Sequence, residues 1–247
     1  MTILPNIFKP KFNYDLIRLG SNYDGGYLVE RTSILKTQYL YSFGISTNWD
    51  FEQDFININN VNIYTFDGSI SLDYWNKLIF QKFIKGSLSK AIKLIIQKKR
   101  FFKFFNDKNF YSKYVGKSLS NSLSLNEILI GNYNKNLFFK IDIEGSEYEI
   151  LDEIIFFQEQ IIGLCIEFHF CNDNIKYIIN FIKKLNMEIV HVHANNYLIP
   201  DHNSLPEVLE ITFAKEPLQI GQFKGLPHSL DMPNKSKGEE IIIKFEE

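Results

Sequence analysis

The 247-residue chain has only two cysteines, Cys165 and Cys171. That excludes a disulfide framework and a cysteine-based zinc ribbon, and makes two reduced, buried thiols the expected state. No apolar run has the length a bilayer-spanning helix needs. The first residues, Met-Thr-Ile-Leu-Pro-Asn, lack the charged and apolar regions of a secretory signal, so we expect a cytoplasmic protein with no integral membrane segment. An excess of charge of one sign is missing as well. The 27 Lys and Arg against 29 Asp and Glu give a net charge of −2, which excludes a general polyanion binder and leaves nucleic acid without support as a partner. Gly-x-Ser-x-Gly, P-loop and Gly-x-Gly-x-x-Gly motifs are all absent, so hydrolase and kinase chemistries have no footing.

What is present is an aromatic-rich globular composition, with 23 Phe and 13 Tyr among 45% hydrophobic residues. Such a chain is long enough for one large domain with a substantial core. Short apolar runs alternate with helical patterns, and this predicts parallel strands over 39–44, 61–66, 111–115, 137–142, 161–168 and 187–193. A last strand over 207–213 is joined by a loop and is free to enter antiparallel. Helices are predicted over 49–58, 147–157 and 172–185, with Asn48 and Ser146 as N-caps, and a short one within 118–130. The extension 1–36 contains a hairpin signal, Asp24-Gly25-Gly26 before Tyr27-Leu28-Val29. Residues 226–234 read as irregular and 240–245 as a final short strand.

Residues 70–117 read as a basic helical insertion or lid. From Lys82 to Lys117 eleven Lys or Arg face one acid, Asp107, and Leu88, Ala91, Ile92, Ile95 and Phe102 fit one helical face. A solvated helix accounts for this pattern, and so does a surface for an anionic acceptor, a membrane or a partner.

The chain is organised around Leu137-Phe138-Phe139-Lys140-Ile141-Asp142-Ile143-Glu144-Gly145-Ser146-Glu147. It reads as a buried strand, an acidic turn and a helix start, which places Asp142 and Glu144 beyond the carboxyl end of a strand, where open α/β sheets bind ligands. Glu167 with His169, and His191 with His193 and Asn195, end the next two strands on the same two-residue spacing. Three polar sets at one edge make a site, since burying such groups without partners is costly. The same residues could bind a divalent metal, hold a polyhydroxyl ligand or supply a general base. Asp67 ends the second strand about 20 residues after Gly44, as ribose-binding acids do, though a surface turn explains it equally well.

Lys-Ile-Asp-Ile-Glu-Gly-Ser-Glu resembles the signature of FkbM-type methyltransferases, which use S-adenosylmethionine. The match extends to Tyr41-Ser42-Phe43-Gly44, Asp50-Phe51-Glu52, Asp67, Arg18 to Tyr27, His191 to Asn196 and Pro206 to Glu210. It covers most of 18–235, with the basic segment 82–113 outside it. The resemblance implies a Rossmann-like class I methyltransferase fold, a mostly parallel seven-stranded sheet with one late antiparallel strand and a helical insertion, in a single domain. It also implies O-methyl transfer to a sugar or glycan-linked acceptor, a phosphoramidate group on such a glycan included, in bacterial surface polysaccharide biosynthesis. Gly44, Asp67, Ser118, Leu119, Asp142 and Glu144 would then contact the cofactor. Asp24, Tyr27, Glu167, His191 and Asn195 would meet the acceptor. Asp142 would assist, with His169 or His193 as base, and a divalent metal would not be obligatory. The alternative is a non-catalytic protein of the same fold that binds acidic glycans or a membrane surface.

Overall fold

The computed structural model describes residues 1–105, 109–131, 136–198 and 205–246. Its centre is a seven-stranded sheet: β1 (Tyr39–Phe43), β2 (Asn62–Phe66), β3 (Phe110–Tyr111), β4 (Leu137–Ile141), β5 (Ile161–Phe168), β6 (Glu188–Ala194) and β7 (Leu209–Ala214). The spatial order is β6-β7-β5-β4-β1-β2-β3. β7 runs antiparallel to both β5 and β6, while the β1–β2, β1–β4, β2–β3 and β4–β5 pairs are parallel. The expectation of a mostly parallel sheet with one late antiparallel strand holds.

β4 is buried at every residue, as a central parallel strand covered on both faces must be. Its alternating side chains serve two cores. Phe139 meets Phe43 edge to face with ring centroids 5.6 Å apart, and Phe138 packs on Phe55 at 5.0 Å. Phe55 belongs to α1 (Asp50–Ile58), whose Phe51 and Phe55 are its buried apolar face. On the other side lie α4 (Leu151–Phe157) and α5 (Cys171–Lys184), which bury Leu151, Ile154, Phe157, Ile178 and Phe181. The N-terminal extension is part of this body. Leu16–Gly20 and Gly26–Glu30 form the antiparallel hairpin, and Tyr27 and Val29 join the Phe138 cluster. Thr2–Leu4 pairs in parallel with Ile243–Phe245, which brings the two ends of the chain together.

Four local expectations change. The third strand is shorter, because the Lys113 N–H turns back onto the Tyr111 carbonyl at 2.8 Å, and Tyr114–Val115 then pairs with Ser122–Leu123 outside the main sheet. The helix after β4 is split into a 3-10 turn, Ser146–Glu149, and α4. Ser146 does not cap it; the first residue outside is Gly145, in the left-handed region at φ 104°. Asn48 lies one residue before the cap position of α1, although its side chain accepts from the Asp50 N–H at 3.1 Å. Between β2 and β3 the basic segment forms α2 (Leu72–Ile84) and α3 (Leu88–Phe104), with its acid Asp107 outside the described residues. Of the stripe expected along α3, only Ala91 is buried, while Leu88, Ile92 and Phe102 are exposed. Trp75 and Phe101 instead dock the pair onto Trp49 and Phe105.

Candidate functional site

From β1 the chain proceeds outward through β2 and β3, and from β4 it proceeds the other way through β5. The carboxyl ends of β1 and β4 therefore flank the switch point, the expected crevice of such a sheet. A cavity of about 420 Å³ lies there, lined by Gly44, Asp67, Tyr114, Lys140, Asp142 and Glu144 among others. Its size falls within the roughly 300–1,000 Å³ usual for small-molecule sites.

The turn after β1 forms one wall. Gly44 has φ +76°, and a Cβ there would lie 1.6 Å from the Asp142 carbonyl oxygen, so only glycine lets the two strand ends approach. Lys140, inside the buried strand, donates from Nζ to the Gly44 carbonyl at 2.5 Å and to Asp142 Oδ2 at 3.1 Å. Burial pulls the Lys140 pKa down, but the Asp142 and Glu52 charges outweigh it and the net shift is upward, so the ammonium stays charged. Glu52 of α1 is buried against the same cavity. Burial raises its pKa, with Lys140 opposing.

Asp67 accepts the Ile45 and Ser46 N–H groups on Oδ2 at 3.0 and 2.7 Å. Its Oδ1 accepts the Ser69 N–H at 2.8 Å and the Ser69 hydroxyl at 2.6 Å. A carboxylate has about four acceptor positions, and all are filled by protein. Asp67 thus shapes the wall after β1, and the Ser69 hydroxyl is the one donor a bound diol could replace without breaking backbone bonds.

A second cavity of about 210 Å³ shares Asp24 and Glu144 with the first and adds Glu167, His169, Asn195 and Tyr197. Glu167 accepts from the Tyr27 hydroxyl at 2.7 Å and the Asn195 amide at 3.2 Å. The same hydroxyl lies 3.1 Å from Asp142, so Tyr27 ties the two cavities together. Burial first, then the Asp142 and Glu210 charges, raise the Glu167 pKa well above the carboxylate range. Burial also raises that of Asp24.

His169 Nδ1 sits 2.6 Å from Oε1 of the fully buried Glu147, and Nε2 faces Glu144 at 3.5 Å and Glu167 at 3.9 Å. Burial alone would lower the His169 pKa. The Glu147 hydrogen bond and charge outweigh it and lift it to about 9. At neutral pH the ring is therefore an imidazolium and holds its proton. Asp142, Glu144 and His169 each present a polar atom within 4.8 Å of the others, a set that would suit a divalent ion once His169 gives up its Nε2 proton.

The other two histidines predicted at the site, His191 and His193, lie elsewhere. They line neither cavity and are buried under the C-terminal segment. His193 is held between Glu210, its register partner on β7, at 3.2 Å, and Glu240. Burial lowers its pKa, but the Glu210 charge and the hydrogen bonds to Glu210 and Glu240 lift it to about 10. His191 Nε2 is 3.0 Å from Asp231 Oδ1, close enough for an ion pair but not aligned as a hydrogen bond. With both ring nitrogens of His193 engaged, it has no free lone pair to act as a base. Ser118 and Leu119 also fall outside both linings: the Ser118 N–H donates to Glu149 at 2.9 Å, and Leu119 is exposed. Tyr114 and Val115 form that wall instead.

Sequence reasoning therefore assembled Gly44, Asp67, Asp142 and Glu144 in one cavity and Asp24, Glu167, His169 and Asn195 in the next, with Tyr27 linking them. It missed Lys140 and Glu52, although a lysine inside an otherwise apolar strand was a signal that it needs partners. Tyr114 carried no signal.

No protein-family model matches the chain, and no curated protein matches it. Among solved structures it is similar to a precorrin-6y C5,15-methyltransferase from Geobacter metallireducens GS-15, at 13% identity over 75% of this chain and 86% of that one, with a TM-score of 0.36. So loose a likeness adds nothing to what the strand order and cavities support.

Proposed function

We propose that the protein is an S-adenosylmethionine-dependent O-methyltransferase acting on a hydroxyl of a sugar or glycan-linked acceptor. The observation that carries the reading is the cavity at the switch point, where Gly44 and Asp142 meet and Asp67 closes the side. The resemblance to FkbM-type methyltransferases, which takes in Gly44, Asp67 and Asp142, is the second support. The lining fits the cofactor chemically. Asp142 and Glu144 suit its cationic amine, the Asp67–Ser69 pair suits a ribose diol, and Phe66, Tyr114 and Val115 offer a wall for a flat base. The cofactor supplies an electrophilic methyl group for an acceptor oxygen to attack in line.

The protein's part is alignment and removal of a proton. In this reading the acceptor occupies the second cavity, where Asn195, Asp24 and Tyr197 offer hydrogen bonds to a polyhydroxyl ligand. Glu167 replaces the histidines as general base. Burial and the Asp142 and Glu210 charges raise its pKa, which makes its anion the stronger proton acceptor, while the Tyr27 hydroxyl orients it and the His169 imidazolium steadies that anion.

Calorimetry with S-adenosylmethionine and S-adenosylhomocysteine tests the cofactor half. Micromolar binding of either is expected, and no heat at millimolar ligand would sink the proposal. Asp142 and Glu144, joined by His169 once deprotonated, would support a second route for the proton, loss from a hydroxyl held by a divalent ion. Activity abolished by a chelator and restored by a divalent ion would favour that route over Glu167.

A further inference from the structure

The α2–α3 hairpin is poorly used by the fold that carries it. Of its side chains only Trp75, Ala91 and Phe101 are buried. Its connection is tight, with the Ser87 N–H on the Lys82 carbonyl at 2.9 Å and the Gly86 N–H on the Phe83 carbonyl at 3.0 Å. Around it Phe80, Phe83, Ile84 and Leu88 are 64, 45, 70 and 59% exposed, and Ile92 and Ile96 continue the apolar stripe down α3 at 48 and 47%. On a helix rising about 1.5 Å per residue, Ile84 lies roughly 14 Å beyond Trp75 and Leu88 roughly 20 Å beyond Phe101. The tip thus projects away from its anchor.

Charge is segregated onto the same piece. Residues 72–104 hold eight Lys and one Arg against Asp73, a net +8, whereas the whole chain carries −2, which leaves −10 on the remainder. Lys82, Lys85 and Lys90 flank the apolar tip, and none of the hairpin's cations forms an ion pair among the described residues. A convex tip of Phe, Ile and Leu set among flexible lysines has the composition of a segment that lies in a bilayer interface, its apolar side chains among the acyl chains and its ammonium groups among anionic headgroups. No helix among the described residues is long and apolar enough to cross a bilayer, so the fit is to the surface.

We propose that the tip of the α2–α3 hairpin docks this protein on an anionic membrane surface. The base of the hairpin reaches the candidate cofactor cavity, since the Gln97 amide donates to the Thr47 carbonyl at 2.8 Å and Thr47 lines that cavity. Docking would therefore hold the cavity near the bilayer. The inference stands apart from the methyltransferase reading, because it rests on side chains outside both cavities.

Co-sedimentation of the full chain with phosphatidylglycerol-containing vesicles and with pure phosphatidylcholine vesicles tests it. Binding to the anionic vesicles is expected, at least tenfold weaker at 500 mM than at 50 mM salt. F80S/I84S/L88S and K82E/K85E/K90E should each lose it by a similar factor. These side chains are mostly exposed, so thermal melting should be unchanged, and this separates lost docking from lost folding. Equal binding to both kinds of vesicle, no binding to either, or retention by both folded variants would overturn the proposal. Retention on an acidic protein or polysaccharide matrix without vesicle binding would assign the surface to an acidic macromolecule and overturn the membrane reading.

Discussion

At the scale of single residues, the proposed reaction rests on a carboxylate rather than an imidazole. A base must be free to take a proton, and both His169 and His193 are held as cations by the carboxylates around them. Glu167 has the raised pKa and the position. Glu167→Gln should lower turnover by roughly 10²–10⁴ with cofactor affinity nearly unchanged, a split read by steady-state kinetics alongside calorimetry. His193 gives a stability prediction. Its pKa is 6.5 in the unfolded reference and about 10 in the folded protein, so the folded state binds the proton more tightly. The stabilisation is complete below about pH 6.5 and fades as pH rises through 10. Melting temperature should fall across that window in the wild type and fall less in His193→Gln. Equal slopes would refute the assignment.

At the scale of elements, the β1 turn and the β4 turn act as one unit. Gly44, Lys140, Asp142 and Asp67 are joined through backbone and side-chain bonds rather than through apolar contact. Gly44→Ala places a Cβ on the Asp142 carbonyl and forces a positive φ on alanine. A cost of at least about 1–3 kcal/mol is expected from the backbone alone, together with loss of cofactor binding. Denaturant unfolding measures the first and calorimetry the second; a variant with wild-type stability would show that the two strand ends do not need this approach. The β6–β7 pair behaves differently. Its antiparallel entry sets His193 opposite Glu210, so His191 and His193 turn to the C-terminal segment, while Asn195, just past the strand end, reaches the second cavity.

Across the whole molecule, a segment near the C-terminal end holds the β6 edge of the sheet. The segment 231–240 supplies Asp231 to His191, Asn234 to Glu210 and Glu240 to His193, and it accepts the Asp24 N–H on the Asn234 carbonyl at 3.2 Å. Asp24 lines both cavities, so this segment braces the second cavity from a distance. Asp231 also accepts the His228 N–H at 2.6 Å, and removing a buried acceptor costs roughly 1–3 kcal/mol for the donor left unsatisfied. Asp231→Ala should therefore lower unfolding free energy by about that amount while leaving cofactor affinity intact. Unchanged stability on denaturant titration would show the pair to be dispensable.

What the sequence determined by itself is the periodic and the local. Strand alternation, the apolar run of β4 and the acidic turn at 142–145 specify a parallel sheet and its ligand-binding edge, because these signals depend on neighbours in the chain. They also assembled most of one cavity, since Gly44, Asp67 and Asp142 each end a strand. Tertiary structure decided which strand-end side chains share a space. Spacing of two put His191 and His193 on the same footing as Glu167 and His169, but β7 inserts between β5 and β6 and carries Glu210 up to His193. Which face of α3 is buried was decided in the same way, by Trp75 and Trp49 from other elements and not by the period of its own residues. Protonation followed last: a histidine's charge depends on the carboxylates folded around it, and those came from segments up to 47 residues away in the chain.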